Sequence, residues 1–268
     1  MQFLTGLLLV SLVQAPAADP LARARQAYNN RQFDAAVTAA REASRTPATA
    51  NAGAVVLARA LLERYRAGAD AADLEAARTA LGTVRFDLLS PADRGEYFLG
   101  FGISFYLEGC ADGCYSTAAE FFDLALAGGA ALDAPARESI FEWWANALDH
   151  QAQYAPDEER PPIYRRILDR AEAERNRDLN STSAFYWVAA ASRGVGDFNR
   201  AWGAAVAGWI RAKYLGPRGE ALRSDLTFFV TQVLLPERVR QMPPEGDRLA
   251  TLQGLRKQWE EIQNKYRQ

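Results

Sequence analysis

The chain has 268 residues, of which 49% are apolar, 11% aromatic and 24% charged, a composition that can bury a core and excludes disorder as the dominant state. Lys and Arg number 31 against 33 Asp and Glu, so no global field favours nucleic acid or an anionic membrane. One His and two Cys leave almost no material for a zinc site or a Cys/His or Ser/His catalytic set. No metal or other cofactor is expected.

Residues Phe3 to Val13 read FLTGLLLVSLV, followed by small residues with an Ala-x-Ala site at Ala15 and Ala17. An apolar run too short to span a bilayer, then such a site, has the form of an export signal over residues 1–18. An apolar first helix of the fold is the alternative, since no Lys or Arg precedes the run. Export predicts a periplasmic or secreted protein with no stable membrane insertion after the signal is removed.

From Leu21 onward three- and four-residue spacing dominates, which predicts helices throughout. A pattern recurs along them: Ala24 with Tyr28 and Asn29 in one helix, a short turn with Phe33 and Asp34, then the small residues Ala36, Ala40 and Ala43 along the next. Leu57, Ala58 and Leu61 with Ala77, Leu81 and Val84 repeat the pair after a longer turn, Arg66 to Asp73. Leu99, Gly100 and Ile103 with Ala118, Phe122 and Ala125 repeat it again. Between those last two helices lies the turn-rich Gly109–Cys114. In an oxidising compartment Cys110 and Cys114 most simply form a local disulfide; free thiols or half a metal site are the alternatives.

Helices around Phe141–His150 and Ile163–Arg175, joined by the Pro/acidic loop Tyr154–Pro162, form a degenerate fourth hairpin. A fifth copy runs from Trp187 to Gly208 through the turn Gly196-Asp197-Phe198. After Gly216 the pattern changes. Asp225–Leu235 predicts a packed helix ended by Pro236, and Arg248–Tyr266 an amphipathic terminal helix. A Gly or Ala at a helix seam lets two backbones approach while a large residue one turn away fills the remaining space. One hairpin cannot bury both faces, so the copies must stack and be capped.

The Gly196-Asp197-Phe198-x2-Ala201 turn and the Leu99-Gly100 pair resemble those of the tetratricopeptide repeat family, over about residues 20 to 212. The resemblance implies an all-α right-handed solenoid of stacked hairpins over residues 19–215, with capping helices over 216–268. It also implies a concave groove that binds a protein or peptide partner. The family's groove positions fall on Arg25, Tyr28 and Asn29; on Arg59, Leu62 and Glu63; on Tyr97, Phe101 and Phe105; and on Tyr186, Ala190 and Arg193. Arg25 and Arg59, at equivalent places, could clamp a carboxylate between them, with the third copy's aromatics as an apolar anchor.

Chemistry is scarce. The one His, His150, reads as a surface or capping residue near a helix end. No Gly-x-Ser-x-Gly elbow, phosphate-binding loop or His-Glu-x-x-His run occurs. Gly194-Val195-Gly196 has half the form of a dinucleotide turn, which the hairpin turn explains. Asn180-Ser181-Thr182 fits a glycosylation sequon, but capping a helix that starts near Ser183 is the simpler use. Trp143 and Trp144 point about 100° apart on a helix, so one should meet core and the other a neighbouring hairpin. The expectation is a non-catalytic scaffold or adaptor of a bacterial cell envelope. The alternative is a small-molecule binder or carboxylate-dependent hydrolase. Its pocket would lie between the fourth hairpin and the C-terminal cap, using Trp143, Trp144 and Asp157-Glu158-Glu159.

Overall fold

A computed structural model describes residues 19–110, 113–128, 132–243 and 246–266; the expected leader, 1–18, lies outside them. Among the described residues the protein is all helical, without a strand, and no helix is long and apolar enough to cross a membrane. The chain divides into two compact units between Leu89 and Ser90. That division falls inside the stretch read as one repeat domain, at the link after Thr83 that carries one short 3-10 turn, Phe86–Leu88.

The first unit holds α1 (Pro20–Asn29), α2 (Phe33–Ala43), α3 (Ala50–Gly68) and α4 (Ala71–Gly82). Asp19 caps α1 by accepting the Leu21 N–H at 3.1 Å, with Pro20 at the first helical position. Each helix packs on the next, and α1 also meets α3. The seams are made of alanine: Ala24, Ala36, Ala40, Ala43, Ala58 and Ala77 are all inaccessible to solvent. The turn expected over Arg66–Asp73 is shorter than its polar sequence suggests. Helix α3 runs on to Gly68, Ala69 ends it in a left-handed conformation (φ 55°), and Asp70 at once caps α4. Arg64 of α3 ties the unit together, donating to Asp73 at 3.0 and 2.7 Å and to Asp34 at 3.1 Å.

The second unit begins with α5 (Pro91–Glu108), α6 (Cys114–Ala127), α7 (Ala134–Tyr154) and α8 (Arg160–Arg177). It continues with α9 (Thr182–Gly194), α10 (Phe198–Arg211), α11 (Pro217–Phe228), α12 (Leu235–Arg240) and α13 (Arg248–Lys265). Consecutive helices pack together from α5 to α11, and α5 meets α7, α7 meets α9 and α9 meets α11. Ser90, Asp133, Ser181, Asp197 and Asp247 cap α5, α7, α9, α10 and α13 through their side-chain oxygens. The seams need glycine as well as alanine. A Cβ on Gly102 would lie 2.4 Å from the Phe122 ring, and one on Gly194 would lie 2.1 Å from that of Tyr164. Gly194 is thus a packing site, while Gly196 (φ 85°) makes the turn into α10.

The fourth hairpin, least regular in sequence, contains long helices. Trp144 is buried against Phe141, under the Arg166 and Arg170 guanidiniums of α8. Trp143 turns to Tyr106 of α5 and Phe122 of α6, as two adjacent helical positions require. Arg137 of α7 forks onto Glu174 of α8 at 2.8 and 2.6 Å and also donates to the Leu126 carbonyl.

Pro236 does not end the helix before it. Phe229–Leu234 forms a π-helical segment joining α11 to α12, and Pro236 lies in the first turn of α12. An α-register would aim the Gln232 carbonyl at an N–H that proline lacks and push it into the ring. Widening the backbone immediately ahead removes that conflict. The terminal helix α13 places Trp259 against Trp202 and Trp209 of α10, at 5.8 and 6.2 Å between ring centroids. Leu252 and Leu255 pack around the same cluster, so this face of α13 is turned onto α10.

Candidate functional site

The groove residues of the first unit are Arg25, Tyr28, Asn29, Arg59 and Glu63. Arg25 and Asn29 are exposed on α1. Arg59 is instead buried on α3, donating to the Tyr28 hydroxyl at 2.7 Å with its guanidinium 5.3 Å from that ring's centroid. Leu62 is core, and Glu63 pairs with Arg66 one turn on. Arg59 therefore braces α3 against α1 rather than standing beside Arg25 as the second arm of a clamp. The small alanines of the seam bring the two helices close enough for this.

Tyr97, Phe101 and Phe105 lie half-buried along α5. Phe101 and Phe105 stack on Phe121 of α6, at 5.1 and 5.7 Å, and Tyr97 meets Phe101 edge-on. Arg193, at the end of α9, forks onto Glu237 of α12, and that carboxylate's hydrogen bonds hold its guanidinium firmly charged. Ala190 packs at the edge of the core. Cys110 and Cys114 are joined by a disulfide, with Cα atoms 5.3 Å apart. Beside them His150 is not at a helix end, because α7 continues to Tyr154. Its ring stacks on Tyr115 at 4.8 Å and meets Tyr106 edge-on.

Of the expected groove residues, Tyr186 lines a cleft of about 460 Å³ between α7, α9 and α11. Each helix contributes one stripe at helical spacing: Glu142 and Asn146 from α7; Ser183, Tyr186 and Trp187 from α9; Arg218, Leu222, Asp225 and Phe228 from α11. The cleft occupies the place foreseen for the alternative pocket. Trp143, Trp144 and the exposed loop Asp157-Glu158-Glu159 do not line it.

Its framework is polar and specific. Glu138 of α7 accepts from the Ser181 and Thr182 hydroxyls and from the Ser183 N–H at 3.0 Å, fixing the start of α9. The Arg218 guanidinium closes on the other oxygen of Glu138, so the cleft's cation is already engaged. Glu142 accepts from the Ser183 hydroxyl at 3.2 Å. Desolvation raises its carboxyl above the usual range; that hydrogen bond opposes the rise, and the charges of Glu138 and Asp225 add to it. Tyr186 is likewise pushed up by burial, with Asp149 and Asp225 adding and Arg193 opposing. Its ring packs edge-on against Trp187 and Phe229. At the rim Phe228 is 66% exposed. Among the described residues no group of three or more His, Cys, Asp or Glu is placed to hold a metal ion.

The fold and the cleft define an all-helical protein of packed hairpins with an acidic, aromatic-walled recess. Compared with protein-family models, curated proteins and solved structures, the chain matches none.

Proposed function

We propose that this is a non-catalytic binding protein that takes a segment of a partner protein or peptide into the cleft between α7, α9 and α11. The observation that carries the reading is the alignment of three side-chain stripes from neighbouring helices around one open recess. Binding sites between packed helices have this size and mixed lining. Phe228, 66% exposed at its rim, adds an aromatic ring to that lining. In this reading the hairpins stack as in tetratricopeptide proteins, with α5, α7, α9 and α11 side by side as the helices of a concave face. The Cys110–Cys114 disulfide and the apolar run Phe3–Val13 support an exported location within the same proposal.

The test is selection of random displayed peptides on the full chain, followed by affinities for the wild type and for a Tyr186→Ala/Phe228→Asp variant. Peptides that lose at least about tenfold, or 1.4 kcal/mol, on the variant support the reading. A library that yields no binder, or only binders indifferent to the variant, overturns it.

A further inference from the structure

Resting on that reading, the geometry points to the class of group the cleft selects: a basic side chain, Lys or Arg, carried on the partner segment and held between Glu142 and Asp225 against the aromatic wall. The two carboxylates come from different helices, α7 and α11, and both line the recess. Asp225 is exposed, and Glu142 spends one oxygen on the Ser183 hydroxyl. Among the described residues lining the cleft the one cation, Arg218, is bound to Glu138. With Glu138, Glu142 and Asp225 against Arg218, the site keeps an excess of negative charge inside a chain that is close to neutral overall. A guest cation would complete it, and an anionic guest would meet two carboxylates first.

The wall suits the same guest. Tyr186 and Trp187 of α9 and Phe228 of α11 contribute rings to the lining. A Lys or Arg stem can lie on such rings while its head reaches a carboxylate, and the ring faces attract the cation. Burial is the main cause of the raised Glu142 carboxyl and the charges of Glu138 and Asp225 add to it, so a cation seated beside these carboxylates would favour their charged forms.

The experiment uses the cleft-dependent peptides from the selection above and the full chain. Each should contain a Lys or Arg whose replacement by norleucine weakens binding about tenfold, the scale of one charge-assisted hydrogen bond. A Glu142→Gln/Asp225→Asn variant should lose a similar factor. Combining the two changes should cost little more than either alone, the mark of a direct pair. Unchanged circular dichroism and a melting temperature no lower than that of the wild type show that the variant is folded. Cleft-dependent peptides without a basic residue, or binding that survives the neutral variant, overturn this inference and leave the binding reading standing. Failure to find any cleft-dependent peptide overturns both.

Discussion

Replacing Trp259 with Ala asks whether α13 is a structural cover or a free arm. Trp259 is 1% exposed and is the buried residue of α13, wedged between Trp202 and Trp209. A tryptophan buries roughly 150–250 Å², and at about 25 cal/mol per Å² that is about 4–6 kcal/mol of transfer free energy. Ala retains part of it, and the site can collapse partly, so the expected loss is about 3–5 kcal/mol. No other α13 side chain is as deep, so the helix should detach before the rest unfolds. The assay is thermal melting followed by tryptophan fluorescence, with hydrogen exchange read along the chain. A fall in Tm of roughly 10–15 °C is expected at about 3 °C per kcal/mol for a unit of this size. Protection should be lost first across α13 and the adjoining turns of α10. A loss under about 1 kcal/mol, with α13 amides still protected, would refute the reasoning.

The Arg137–Glu174 pair, with side chains 14% and 7% exposed, should behave as a buried ion pair. Glu174→Ala strands the guanidinium and should cost about 3–5 kcal/mol in urea unfolding, whereas Arg137→Met with Glu174→Leu should recover most of it; equal losses would contradict this. Gly102→Ala forces a methyl to within 2.4 Å of Phe122, itself fully buried, and should lower stability by about 1–3 kcal/mol. Adding Phe122→Leu should return part of that loss, and a Gly102→Ala protein as stable as wild type would exclude the tight seam. Glu142 has a folded pKa above its unfolded one. The native state therefore holds more protons between those two values, and this group's contribution falls as pH rises through that window. Glu142→Gln should gain stability relative to wild type on going from acidic to neutral pH, measured by denaturation at several pH values. A difference that stays flat or shrinks would show that the carboxyl is not desolvated.

Much of the helical framework is legible in the sequence because its signals are local. Small residues at three- and four-residue spacing mark the seams, Asp or Ser marks the start of α1, α4, α5, α7, α9, α10 and α13, and Gly196 marks the turn into α10. The regions misjudged are those where distant packing overrides local cues. Ala67 and Gly68 carry α3 on beyond Arg66, and Pro236 sits inside a continuous helical rod because the π turn accommodates it. Arg59 has the same look as Arg25 in sequence, and only the seam between α1 and α3 buries one and exposes the other. The cleft was half legible. Tyr186 follows from the repeat register, but Glu142, Asp225 and Phe228 sit where the pattern weakens, on α7 and α11. Carrying the first-helix stripe through those two helices would have reached them.

The most direct measurement is amide chemical-shift mapping of the isotope-labelled chain with a selected, Lys- or Arg-containing peptide. The account predicts the largest shifts on the facing stripes of α7, α9 and α11, centred on Glu142, Ser183, Tyr186, Asp225 and Phe228. Saturating binding with shifts confined to other helices, and none across those stripes, would contradict it.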